Sequence, residues 1–293
     1  MRWLSKKRYI AFLLTPALLS YVVYIILPIF ISIYYSFTRY SGVGEAVPVG
    51  FANYIRLFQN AVFGRAIANS LIIMGTCMVI LLPLSLLVAV LLNSGLKGAR
   101  ISKTILFAPA IMAPIIVGIL WVFILDPSIG FINDLLRELN LDVLALMWIG
   151  GDKLTPFSVA FVYAWQQMGY YVSIFYAGLK MIPGELYEAA EIDGASRFQQ
   201  LTQITLPQLK GTISVVVVLI MNGTLKIFEV VQQLTEGGPN HLSEVMVTYS
   251  YSTTFRDAQY GYGMSMAVVT FLICFVFSAV YLTISNRQAK EDA

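Results

Sequence analysis

The stretch Met181-Ile182-Pro183-Gly184-Glu185-Leu186-Tyr187-Glu188-Ala189-Ala190-Glu191-Ile192-Asp193-Gly194-Ala195-Ser196-Arg197-Phe198 is polar and acidic, and it sits between two long apolar runs, residues 156–180 and 212–232. Pro183 and Gly184 end the helix before them. Glu185 to Ile192 are good helix formers, and acidic side chains favour a helix N-terminus. Gly194 then supplies a turn that a side chain would hinder. The expectation is a short acidic helix, too polar to enter a bilayer, inside a connection covering residues 181–211. Ala189 and Ala190 give it a small, flat surface that another protein can approach closely.

Working outward, the flanking runs belong to a set of six. The 293 residues are 58% apolar and 12% charged, with a mean hydropathy of +0.75, whereas soluble domains are about a quarter charged. A membrane span needs about 20 apolar residues. Runs at 9–37, 66–92, 102–125, 156–180, 212–232 and 264–285 meet that length. In hydrocarbon each satisfies its backbone hydrogen bonds as a helix. The fold class expected is an all-α polytopic membrane protein with about six transmembrane helices and the acidic helix between the fourth and fifth. It forms one domain over residues 1–293, with core helices at about 66–285. The first run is longer than the apolar core of a signal peptide, about 7–15 residues, so it reads as an uncleaved helix. Pro16 and Pro28 predict bends in it.

Basic residues set the orientation. With the N-terminus cytoplasmic, Arg2, Lys6, Lys7, Arg8, Lys97, Arg100, Lys103, Lys180, Arg197, Lys210, Arg287 and Lys290 fall on the cytoplasmic side. Arg39, Arg56, Arg65, Arg137, Lys153 and Arg256 fall outside. Both termini are therefore expected in the cytoplasm, which places the acidic helix there too.

Other chemistry is thin. A net charge of +3 is too small to point to nucleic acid. Cys77 and Cys274 lie in apolar stretches, where a free thiol acts as a small hydrophobe, so no disulfide is expected. With His241 as the single histidine, a zinc site of the usual kind is not expected. No phosphate-cradling Gly-x-x-x-x-Gly-Lys-[Ser/Thr] occurs.

The run Glu188-Ala189-Ala190, three residues, Gly194, nine residues, Ile204-x-Leu206-Pro207 resembles the EAA loop of ABC importer permeases. Other stretches are similar to the sugar-permease branch of that family: Gly50-Phe51-Ala52-Asn53-Tyr54, Asp126 to Asn133, Leu234-Thr235-Glu236-Gly237-Gly238-Pro239, and Tyr251 to Phe255 followed by Gly261. Glu229 departs from the Asp common after Phe in the family. The large extra outer domain of the maltose-type larger permease is lacking. The resemblance covers nearly the whole chain. It implies an inner-membrane permease subunit, bacterial or archaeal, of an ATP-driven, binding-protein-dependent sugar or oligosaccharide importer.

The resemblance also implies partners: a second, different permease subunit, two ATPase subunits that bind ATP and Mg, an extracytoplasmic solute-binding protein, and membrane lipid. The chain itself then needs no cofactor and carries no catalytic residue. Glu185, Glu188, Ala189, Ala190, Asp193, Gly194, Leu206 and Pro207 are the implied ATPase-coupling residues. Glu188 would make a polar contact, the alanines would allow close approach and Gly194 would fix the turn. The Gly237-Gly238-Pro239 loop would touch the binding protein.

Spacing adds a second candidate. Asn222, Lys226, Glu229 and Gln233 sit at i, i+4, i+7 and i+11, which on a continuous helix is one narrow face. Charges within a span usually face a cavity or one another, and Lys226 and Glu229 are spaced to pair. The face serves either as a wet solute pathway or as glue between helices. Helix four carries Trp165, Gln166, Gln167, Tyr170 and Tyr171. Aromatic faces with amides suit sugars, and they equally suit packing and interfacial anchoring. The competing class is a secondary transporter or channel, which would show internal repeats and membrane carboxylates. An intramembrane protease would need a Ser–His or paired-Asp constellation.

Overall fold

The apolar runs become helices, broken where proline or a polar residue interrupts the hydrogen-bond ladder. The computed structural model describes residues 7–94, 99–151 and 153–291. Helix α1 (Lys7–Tyr21) passes through a π-helical turn, Val22–Ile26, into α2 (Leu27–Ser36). Pro28 has no N–H to offer the carbonyl one turn back, and the wider turn ahead of it absorbs the mismatch. A two-residue antiparallel ladder follows, β1 (Thr38–Arg39) with β2 (Val47–Pro48), and then α3 (Ala52–Phe58) and α4 (Ala61–Asn93). Next come α5 (Ala99–Ile111), α6 (Pro114–Leu125), α7 (Phe131–Glu138) and α8 (Thr155–Lys180). The acidic segment forms α9 (Gly184–Ile192). After it come α10 (Arg197–Gln200), a π-helical turn at Leu201–Thr205, and α11 (Leu206–Gln208). The remainder is α12 (Lys210–Leu225), α13 (Glu229–Leu234), α14 (Met246–Tyr251) and α15 (Tyr260–Glu291).

Among the described residues, three helical stretches, Ala11–Ser36, Ala61–Asn93 and Tyr260–Ser285, are long and apolar enough to cross a membrane. Two more qualify only as bent pairs. The third expected span bends by 105° between Ile111 and Pro114, and the stretch ending at Gln208 meets α12 at 69°. Helix α8 has 26 residues, enough for a span, but its amides and tyrosines make it more polar than the others. It can be so because much of it is covered by protein, from Thr155 to Leu179.

The helices fall into two compact units. One joins the described residues up to Phe63 with Tyr249–Leu272. In it, the Asn53 amide donates to the carbonyls of Ser36 and Thr38, both at 2.8 Å, and the Tyr54 hydroxyl meets Ser36 Oγ at 2.6 Å. The Gly50–Tyr54 motif thus closes the end of α2, whose last carbonyls have no helical partner. The Asn60 side-chain oxygen accepts the N–H of Val62 at 2.8 Å and of Phe63 at 3.2 Å, capping α4.

The other unit joins Gly64–Thr248 with the chain from Ile273. Its core takes Cys77 and Leu81 from α4, Val117 and Trp121 from α6, Val159 and Phe175 from α8, Val216 and Ile220 from α12, and Val231 from α13. Helix α8 is the hub, because glycines let its neighbours come close. A Cβ at Gly169 would meet the backbone of Leu106 and Phe107 on α5, and one at Gly178 would meet Thr212 Oγ1 at 2.7 Å. On α12, a Cβ at Gly223 would overlap the Tyr163 hydroxyl.

Candidate coupling loop and solute pathway

Helix α9 starts on Pro183, whose extended backbone (ψ 132°) turns the chain out of α8, and Glu185 lies in its first turn. It ends in a Schellman motif. The Ala195 N–H donates to the Ala190 carbonyl at 2.8 Å, and the Gly194 N–H to that of Glu191 at 3.1 Å, with Gly194 at φ +77°. No atom lies within 4 Å of a Cβ built at Gly194, so the glycine is there for its backbone and not for space. Ser196 then opens α10 with a capping box. Its N–H donates to Gln199 Oε1 at 2.8 Å and its hydroxyl accepts the Gln199 N–H at 3.3 Å. That Ser-x-x-Gln signature was readable in the sequence and escaped the sequence analysis.

Glu185, Glu188, Ala189, Asp193 and Gly194 are exposed, with Ala190 partly covered. Sequence reasoning also missed two apolar residues beside them, Ile192 at 87% and Phe198 at 73% exposure. The loop therefore presents carboxylates, a flat alanine pair and two bare apolar side chains together. Within the loop, the Tyr187 hydroxyl lies 2.9 Å from Thr205 Oγ1 and ties α9 to the segment ahead of α12. Leu206 is half-buried, Pro207 is exposed in the first turn of α11, and Leu209, buried, forms the elbow into α12.

The expected single face on helix five is not continuous. Helix α12 stops at Leu225, Lys226 has left helical geometry (φ −104°, ψ 12°), and α13 begins at Glu229 after Phe228 (φ −133°, ψ −63°). Helix dipoles account for the charges: Lys226 closes one helix and Glu229 opens the next, each at the end that favours its sign. Both are exposed. They do not pair with each other; Arg137 and Asp134 do, at 3.2 Å, and His241 Nδ1 lies 3.2 Å from Glu244 Oε1. Asn222 turns to the last helix, donating to Ser278 Oγ at 2.9 Å, and Ser214 meets Ser285 there at 2.7 Å. Gln233 packs against α6, where Gly118 has no Cβ to obstruct it.

On α8, Gln166 is buried and its amide donates to the Met112 carbonyl at 3.2 Å, at the break between α5 and α6. Gln167 is half-buried and Tyr170 is exposed, its ring edge-on to Tyr171. Trp121, Phe161 and Trp165 form a second aromatic group, with Trp121 edge-on to both others at 5.5 Å. The buried Trp121 Nε1–H has no acceptor among the described residues. In the connection after α13, the Glu244 carboxylate is buried and accepts from the Thr248 hydroxyl, and Gly237 (φ +79°) leaves room for it.

Known proteins share this sequence and fold. The family described as "Binding-protein-dependent transport system inner membrane component" matches residues 81–290. The chain belongs to this family. Among similar permeases is the diacetylchitobiose uptake system permease protein NgcF of Streptomyces coelicolor, 31% identical over 95% of this chain and 82% of the relative. Another is the arabinooligosaccharides transport system permease protein AraP of Bacillus subtilis, 32% identical over 98% and 91%. Among solved structures, a chain of a bacterial alginate ABC transporter, in complex with an alginate pentasaccharide-bound periplasmic protein, superposes with a TM-score of 0.85. It is 25% identical over 99% of this permease and 98% of that chain. The permease is thus an inner-membrane transport component.

Proposed function

We propose that this permease is half of the translocation pathway of an ATP-driven importer for a sugar or oligosaccharide. It works as a single domain over residues 1–293, with six spans, both termini in the cytoplasm and α9 exposed there as a coupling helix. Its partners are a second, different permease, two ATPase subunits holding ATP and Mg, and an extracytoplasmic solute-binding protein. The sugar-system relatives and the alginate transporter support the solute class.

The observation that carries this reading is the Tyr187–Thr205 bond beneath a largely exposed α9. Glu185, Glu188, Ala189, Ala190 and Asp193 meet the ATPase. When ATP closes the ATPase dimer, α9 moves with it. The bond and the close contact of Gly178 with Leu209 and Thr212 pass that motion to α12 and α8. Leu206 and Pro207 form the stiff link between them. ATP shifts the transport equilibrium only as far as it binds the two conformations differently. Lys226, Glu229, Gln167 and Tyr170 face the solute path. Asn222, Gln166 and Gln233 hold the helices that shape it.

The test is ATP hydrolysis by the reconstituted complex, titrated with binding protein across a sugar panel. Stimulation by one solute-loaded binding protein is expected. Solute uptake by the permease pair without its ATPase would overturn the reading in favour of a secondary transporter or channel.

A further inference from the structure

The unit built from the described residues up to Phe63 and from Tyr249–Leu272 holds a cavity of about 360 Å³ that the transport mechanism does not use. Its lining includes Arg39, Tyr40, Asn53, Arg56, Gln259 and Tyr262, with no Asp or Glu among the lining residues. In the proposed six-span topology these residues lie between the first two spans and at the start of the last, on the same side of the membrane. Arg56 is held in place from two sides: its guanidinium stacks on the Tyr262 ring at 4.1 Å and donates to Gln259 Oε1 at 2.8 Å. Tyr262 is fixed in turn by the Asn60 amide at 3.0 Å. Asn53, through Ser36 and Thr38, anchors the strand that carries Arg39. The Arg39 guanidinium is exposed and has no hydrogen-bond or ion-pair partner among the described residues.

A preset guanidinium and an exposed one thus line the same hollow, and no carboxylate is among its lining residues, the nearest acid in sequence being Asp257 beside Ala258. Guanidinium forks match the planar geometry of a carboxylate, and a bidentate pair of this kind is strong and orientation-specific. We propose that this pocket receives the carboxylate of an acidic side chain presented by the solute-binding protein, bridging Arg39 and Arg56. The proposal rests on the importer reading, which places this face on the binding protein's side of the membrane. A preset positive pocket steers and registers a docking partner, and a change of charge in it alters the association more than the chemistry that follows.

The experiment uses the complete transporter in nanodiscs and measures the concentration of solute-loaded binding protein that gives half-maximal stimulation of ATP hydrolysis. Arg39→Glu is expected to raise it about tenfold or more, and Arg39→Lys, which keeps the charge and loses the fork, by less. Reversing one acidic residue on the binding protein to Arg is expected to restore Arg39→Glu, a rescue that a merely structural role would not give. If the wild type is stimulated but Arg39→Glu and Arg56→Gln both leave the half-maximal concentration unchanged, the pocket proposal is overturned and the importer reading stands. A parallel arm compares phosphatidylcholine discs with discs containing phosphatidylglycerol. If Arg39→Glu abolishes only a response to the anionic lipid, the pocket holds a phosphate headgroup and the proposal is likewise overturned. A wild type that no binding protein stimulates brings down the importer reading, and the pocket proposal with it.

Discussion

The phenol of Tyr187 stands 2.9 Å from the hydroxyl of Thr205 and joins α9 to the segment that feeds α12. The two residues are eighteen apart in sequence, so the bond fixes the height of the acidic helix against the elbow at Leu209. Removing it should cost about 1 kcal/mol or less of stability. Its larger consequence should be slack between motor and gate. Tyr187→Phe is expected to lower the number of solute molecules moved per ATP hydrolysed while hydrolysis continues. Thr205→Val should do the same, and the double variant should add nothing to either, as partners in one interaction behave. Uptake and phosphate release measured together in proteoliposomes check this.

Gly194 separates conformation from contact. Its φ of +77° disfavours any L side chain, yet a Cβ there would touch nothing within 4 Å. Gly194→Ala should cost about 1 kcal/mol or slightly more through the left-handed backbone alone. Gly194→Asn should cost less, since Asn tolerates that region. Stimulated hydrolysis should therefore rank wild type, Asn, Ala, then Pro, with membrane insertion intact in all four. Equal loss in Asn and Ala would mean that the ATPase contacts this position directly.

At Gly223 the problem is space. A Cβ would run into the Tyr163 hydroxyl across the α8–α12 interface. Gly223→Ala should destabilise the purified permease by about 1–3 kcal/mol, the usual cost of overpacking. Tyr163→Phe removes the offending oxygen and should recover much of that loss in the double variant. Thermal unfolding in detergent, run on all four members of the cycle, gives the coupling directly.

These features were unequally legible in the sequence. Long apolar runs locate most of the helices because lipid leaves the backbone no alternative, and the Pro183, Gly184 and Gly194 punctuation locates α9. The break in helix five was not read. Placing Asn222, Lys226, Glu229 and Gln233 on one face assumes an unbroken helix. The charges themselves were the contrary signal, because a basic residue followed three places later by an acidic one suits a C-terminus followed by an N-terminus. The cap at Asn60 and the box at Ser196 and Gln199 are short-range patterns and could have been found. The buried Glu244 and the Gln166–Met112 bond could not, since each depends on which backbone a distant helix brings alongside.

Gln166 is where the structure divides two accounts of one residue. An amide in a helix rich in tryptophan and tyrosine suits a polyhydroxylated solute, yet here it is 2% exposed and donates at 3.2 Å to the Met112 carbonyl. That carbonyl follows the end of α5 at Ile111, just ahead of a 105° bend, where the helix ladder no longer supplies a donor. Gln166→Leu, close in volume, leaves the acceptor buried without this partner and should cost about 1–3 kcal/mol. The cost should show in the melting temperature of the permease and in yield of the assembled complex, with the KM for solute unchanged in the fraction that assembles. A solute-binding role predicts the reverse: normal melting, normal assembly and a KM that rises for some sugars and not for others. Gln167→Leu, one residue on and half-buried, is the matched comparison, and there the shift in KM is the outcome expected.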